Sequence, residues 1–265
     1  MKNTIIALLS LAGVAAGDTD VYTWVYSSNY AVMGGDAYGS FNTVDYTPNT
    51  GNYSGTTITT LKYTSGGSTD SPNWYETNTD VFYNAINKAM AGEVTLTISG
   101  AISTGTATAG RYTTILHVGS NDKGLTLGLQ GNTLTLTNAN VGTPNGVAMG
   151  TIALNSDSGN TYRLIDFSVT LGKGGVVTYS IDGSETQQAS SKFTTNWSTT
   201  LLDNYQYTIG SFLPGSTVND HYVGKWWGNL APLTVTVTEV PEPTTVTLSL
   251  MALAGMAARR RRRMA

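Results

Sequence analysis

The chain has no cysteine, two histidines and seven prolines in 265 residues, and only 12% of its residues are charged. Without thiols there can be no disulfides, no cysteine nucleophile and no Cys-ligated zinc or iron–sulfur cluster. Two histidines, His117 and His221, are too few for a polyhistidine metal centre. Low charge does not mark the chain as disordered, because disorder combines weak hydrophobicity with high net charge. Here the mean hydropathy is -0.09 and the formal net charge -3. What is abundant is Thr, Ser and Asn, with 30 Gly and 15 Tyr. That composition suits β-structure with uncharged polar faces, and the length suits one all-β domain or two small ones.

The net charge hides an asymmetry. Six of the fourteen basic residues are terminal, Lys2 and Arg259 to Arg263. Between Asp18 and Val240 eight Lys and Arg face sixteen Asp and Glu, a balance of -8. Phosphate binding needs basic patches, so an acidic body argues against a nucleic-acid partner.

Both ends read as addresses. Residues 1–17 begin with Lys2, run through apolar residues from Ile5 to Ala16 and end on the small residues Val14-Ala15-Ala16-Gly17, the pattern of a secretory signal peptide cleaved near Ala16 or Gly17. At the other end, the prolines of Val240-Pro241-Glu242-Pro243 remove amide donors and separate the body, 18–239, from the remainder. Residues 244–258 are uncharged and predict a hydrophobic helix about 22 Å long. With snorkelling arginines and the flanking residues it serves as a membrane-spanning segment. Arg259, Arg260, Arg261, Arg262 and Arg263 then hold that end in the cytoplasm and leave the body outside.

Val240, Pro241, Glu242 and Pro243, an apolar stretch and a terminal arginine run together resemble the PEP-CTERM sorting signal of Gram-negative bacteria. The resemblance covers residues 240–265 and implies an exosortase-type sorting protease as partner, cleavage near the motif, transient inner-membrane anchoring and display on or release from the cell surface. Such tails accompany exopolysaccharide systems. An ordinary membrane anchor with a basic flank is the alternative, but it has no need of the Pro-Glu-Pro element.

In the body the hydrophobic period is two, as in strands with one buried face. Val94, Leu96 and Ile98 alternate with threonines; Leu125, Leu127 and Leu129 precede a Gln130-Gly131-Asn132 turn, after which Leu134 and Leu136 return. Ile165, Phe167 and Val169 lead to a turn at Gly172-Lys173-Gly174-Gly175, and Val177, Tyr179 and Ile181 come back before Asp182-Gly183. Val235 and Val237 alternate with Thr234, Thr236 and Thr238. One stretch, Thr79–Ala91, fits a short helix with Phe82, Ala85, Ile86, Ala89 and Met90 as its apolar stripe and Gly92 at its end, and fits equally a strand followed by a loop. These signals predict an all-β fold, an antiparallel β-sandwich. Residues 18–79, richer in Tyr and loop residues, fit the first strands and loops of the same sandwich or a small extra β-element, and with no linker-like run after them the reading preferred is one domain.

The order Leu164–Thr170, a Gly-rich turn, Val177–Gly183, Tyr207–Ser211, Gly224–Gly228 and a last Thr/Val strand resembles the concanavalin A-like, LamG-type jelly roll over roughly residues 90–240. That resemblance implies a jelly-roll fold and, by analogy, carbohydrate or protein binding. Thr161-Tyr162-Arg163 stands where the family often has a Trp-His pair.

No catalytic constellation emerges. Glycosidases on this sandwich need two carboxylates at alternate strand positions, whereas Asp182 and Glu185 straddle a glycine turn. Gly-x-Ser-x-Gly is absent, His117 lies in a strand-like run, and His221 lies in a loop. No cofactor is expected, calcium being the one to consider at Asn155–Asn160 or Ser120–Gly124, although both runs read as turns. Sugars stack on aromatic rings and bond to polar loops, which makes Trp197 with Asn196 the first glycan-binding candidates, followed by Trp24 and Trp74. Trp226 and Trp227 alternate across a strand. The expectation is an exported, surface-sorted, non-catalytic protein that binds glycan or exopolysaccharide; a purely structural surface or biofilm protein and a glycoside hydrolase are the alternatives.

Overall fold

The computed structural model describes residues 18–26, 31–33, 36–38, 46–53, 56–63, 74–75, 80–104, 112–120, 123–138, 146–153, 163–195, 206–209 and 228–240. Early in the chain lie β1 (Thr19–Tyr26), β2 (Ala31–Met33), β3 (Asp36–Tyr38), β4 (Tyr46–Tyr53), β5 (Thr56–Tyr63) and β6 (Trp74–Tyr75), followed by the helix α1 (Asp80–Ala91). Next come β7 (Val94–Thr104), β8 (Tyr112–Ser120), β9 (Lys123–Gln130), β10 (Thr133–Asn138), β11 (Val147–Thr151) and β12 (Ile165–Leu171). A 3-10 turn at Lys173–Gly175 leads to β13 (Val177–Ile181), β14 (Gln187–Gln188), β15 (Gln206–Ile209), β16 (Gly228–Leu230) and β17 (Thr234–Glu239).

The strands form two antiparallel sheets. In the larger, β14, β13, β12, β7, β17, β1, β2 and β3 follow one another, and β16 joins β7 to β5, which pairs with β4. In the smaller the order is β11, β10, β9, β8, β15, β6. Period-two patterning explains why they stack. Leu96, Ile98, Phe167, Val169 and Val235 leave the larger sheet on one face, Leu116, Leu127, Leu129, Leu134 and Leu136 leave the smaller, and all are buried in one core. The expected all-β sandwich is what the chain forms.

Local chemistry sets the connections. The stretch that fitted helix or strand is a helix: Ala85, Ile86 and Ala89 are buried against the core. It ends as a Schellman motif, Glu93 N–H donating to the Lys88 carbonyl at 2.9 Å and Gly92 N–H to that of Ala89 at 3.0 Å. Gly131 has φ 60° in the two-residue β9–β10 turn, as a type II′ hairpin requires, and Asp182 and Gly183 have φ of 53° and 70°, the type I′ signature.

The sheets differ in what covers them. In the smaller one Thr114, Ile115, Leu116, His117 and Val118 are all buried in succession, so both faces of β8 are covered. In the larger one the core face is buried, and the alternate positions of β12, β13, β17 and the first half of β7 are at least part-exposed, while Ala101 and Ser103 farther along β7 are buried on that face.

Candidate functional site

The open face of the larger sheet is built from the residues that alternate with the core. Register puts Thr178, Thr170, Thr97 and Thr236 side by side across β13, β12, β7 and β17, with Val21 of β1 completing the row. A parallel row holds Ser180, Ser168, Ser99, Thr234 and Thr23. A third, shorter row holds Thr95, Thr238 and Thr19. Sheet geometry spaces neighbours at about 4.8 Å across strands and about 6.7 Å along them.

The result is a two-dimensional array of hydroxyls without a charged side chain inside it. Thr97 Oγ1 lies 2.8 Å from Thr170 Oγ1, Thr23 Oγ1 3.1 Å from Thr234 Oγ1, and Thr19 Oγ1 donates to Thr238 Oγ1 at 3.4 Å. A hydroxyl carries one donor and two acceptor lone pairs, so each such pair still presents donor and acceptor capacity outward. At the margin, exposed Asp166 follows Ile165 in β12, and Arg163 Nη2 donates to Asp182 Oδ1 at 2.7 Å.

The sequence-derived candidates fall in different places. Asn196 and Trp197 lie outside the described residues, as do His221, Trp226, Trp227 and the Asn155–Asn160 run. For Trp24 and Trp74 the backbone is placed: Trp24 pairs with Met33 in the larger sheet and Trp74 with Thr208 at the edge of the smaller, so the strands assign them to different sheets. Asp182 is a turn residue held by Arg163, as its Asp-Gly sequence suggested. His117 is fully buried, with Nδ1 2.8 Å from Thr126 Oγ1, a sheet histidine rather than an accessible base. Among the described residues no group of three or more His, Asp and Glu is placed to hold a metal ion.

Sequence reasoning did not single out the hydroxyl array. Its signal was present in the threonines between Val94, Leu96 and Ile98 and between Val235 and Val237. Which strands lie side by side is a matter of long-range pairing, so the rows were not visible.

A second functional feature is the exit of the C-terminal segment. β17 lies between β7 and β1 and ends at Glu239, which pairs with Val94. Glu239 N–H donates to the Asp18 carbonyl at 2.9 Å and Val240 N–H to the Glu93 carbonyl at 2.8 Å. The Val240 side chain is 41% exposed.

Residues 239–263 match the PEP-CTERM protein-sorting motif. The PEP-CTERM sorting signal expected from the sequence over 240–265 is thus found, over 239–263. The motif marks the chain for export and surface sorting and for processing by exosortase-type machinery. Among the described residues no helix is long and apolar enough to cross a membrane; the expected spanning segment, 244–258, lies outside them, as does the expected signal peptide, 1–17.

No curated protein matches the chain in sequence. Similar solved structures include a protein of unknown function from Shewanella oneidensis MR-1, 9% identical over 89% of this chain and 94% of that one, with a TM-score of 0.46. A receptor binding domain is 11% identical over 88% of this chain and 50% of its own, also at 0.46. Trypanosoma rangeli sialidase in complex with sialic acid is 12% identical over 81% of this chain and 30% of its own, at 0.45. At such identities and TM-scores none of these likenesses bears on activity or ligand.

Proposed function

We propose that the protein is a surface-sorted, non-catalytic β-sandwich that binds an uncharged glycan or matrix polymer across the open face of its larger sheet. The hydroxyl array carries this reading: three parallel rows on β13, β12, β7, β17 and β1 form a broad polar surface without charge, matched to a ligand that is itself an array of hydroxyls. The LamG-type order of motifs over residues 90–240 supports it, as does a sorting signal of the kind that accompanies exopolysaccharide systems. Trp197 and Asn196 would add a stacking platform. The glycosidase alternative has less support, because in the sequence Asp182 and Glu185 do not alternate along a strand.

The test is retardation of the protein in gels containing neutral or acidic polysaccharides. Neutral polymers should retard it equally at low and high salt, because an uncharged face gains nothing from Coulomb attraction. Replacing Thr97, Thr170 and Thr236 together by Val keeps β-branching but removes hydroxyls, and should reduce retardation about tenfold or more with the fold intact. Unchanged retardation in that triple variant overturns the assignment of the face. Failure of all neutral polymers overturns the glycan reading and favours a purely structural surface role.

A further inference from the structure

The end of β17 belongs to the fold and to the sorting signal at once. The motif match begins at residue 239, the last residue of β17. Glu239 and Val240 are bonded through their amides to Asp18 and Glu93, on opposite sides of the strand. Pro241 follows Val240 directly, so no spacer separates the sheet from the Pro-Glu-Pro element. Pro241 and Pro243 lack amide hydrogens and cannot donate to a ladder. Within the motif, the described residues are held by the amides of Glu239 and Val240.

A protease engages an extended substrate through backbone N–H and C=O groups and alternate side chains, much as an added strand engages a sheet edge. Backbone groups already paired within a sheet are unavailable for that purpose. We propose that Glu239–Val240 is an interaction surface for which the folded body and the exosortase-type processing machinery compete. Processing then passes through a minor state in which the end of β17 has detached from Asp18 and Glu93 while the rest of the sandwich stays folded. Strand ends open locally far more often than the whole domain unfolds, which makes that state accessible. This inference rests on the sorting motif and is independent of any glycan ligand.

The test compares full-length chains in a strain that carries the processing machinery, following conversion of the long form to the short form by pulse-chase. In the first variant a six-residue Gly-Ser spacer and a second Glu-Val pair are inserted between Val240 and Pro241, so that one pair stays in the sheet and the other opens a free motif. Its processing should be about tenfold faster than that of the natural chain, the order of effect expected from freeing two strand-end hydrogen bonds. A spacer of equal length without the second Glu-Val pair should not accelerate processing. In a separate arm, Thr19→Cys with Thr238→Cys joins opposed positions whose hydroxyls are 3.4 Å apart, in a chain with no other cysteine. The oxidised form should be processed several-fold more slowly than the reduced form. Equal rates in the natural and Glu-Val spacer chains overturn the proposal. So does equal acceleration by both spacers, which would indicate crowding alone, and so does an oxidised cross-link without effect.

Discussion

At the residue scale, glycine and aspartate show how much a turn sequence reveals and where it stops. Gly172-Lys173-Gly174-Gly175 reads as a turn from composition alone, and Gly174 and Gly175 have φ of 63° and 77°. The two glycines are not equivalent. A Cβ on Gly174 would meet nothing within 4 Å, whereas one on Gly175 would lie 1.9 Å from the carbonyl oxygen of Phe193. That contact comes from a segment eighteen residues away whose amide donates to Gly175 at 2.8 Å, a pairing no local pattern announces. Gly174→Ala should therefore lower stability by about 1 kcal/mol, the left-handed penalty alone. Gly175→Ala should lower it by about 3 kcal/mol or more, since backbone must also move. Urea denaturation midpoints of the two variants check the contrast.

Asp182 makes the converse point. Its left-handed φ of 53° beside Gly183 follows from the Asp-Gly turn, and its ion pair with Arg163 joins side chains that are 46% and 60% exposed. Exposed pairs contribute little, and Asn tolerates the same conformation. Asp182→Asn should change stability by less than about 0.5 kcal/mol. A larger loss measured by denaturation would give the Arg163 contact more weight than its exposure allows.

At the element scale, the amphipathic pattern of 79–91 fitted two structures, and packing chose between them. The helix turns Ala85, Ile86 and Ala89 inward, and Ile86 lines a void of about 10 Å³ with Leu96, Ile98, Val235, Leu116, Val118 and Leu125. These residues come from α1 and from both sheets, so the helix closes part of the space between them. The lining is wholly apolar and the space holds one water at most, which leaves it dry and unsuited to a polar ligand. Ile86→Ala would enlarge an existing void and should lower stability by about 3–4 kcal/mol, toward the upper part of the range for such truncations. Val118→Ile, which adds one methylene toward the void, should be neutral or slightly stabilising. Thermal unfolding of both variants measures the difference.

At the scale of the whole molecule, sequence patterning supplied strands and hairpins but not their neighbours. The β9–β10 and β12–β13 pairs are joined by short turns, and alternation with Gly-Asn at the first bend and a glycine-rich run at the second is enough to identify them. The centre of the larger sheet is different, because β7 pairs with β12 on one side and β17 on the other, and β17 pairs with β1 from the opposite end of the chain. Hydrophobic alternation specifies which face of each strand is buried but is the same for every candidate partner, so these pairings were not legible. The hydroxyl rows depend on them, as does the anchoring of Glu239 and Val240. The sorting signal was legible because it is a contiguous sequence feature with no pairing to infer.

That topology makes β17 a strand on which the larger sheet depends. It is the last strand before the sorting motif, yet it fills a central place between β7 and β1, with Val235 buried and Val237 packed on the core. Truncation after Leu233 would expose one edge each of β7 and β1 and remove Val235 from the core, and the shortened chain should lose its cooperative unfolding transition. Truncation after Val240 keeps the Asp18 and Glu93 hydrogen bonds and should retain the transition with its midpoint nearly unchanged. Thr19 and Thr238 must also find each other across almost the full length of the body, so refolding of the longer truncation should be slow, on the order of milliseconds to seconds, as for other sheets closed by distant strands. Microsecond refolding would mean that β1 and β17 pair after the measured step; retention of a cooperative transition without β17 would show that the larger sheet can close without it.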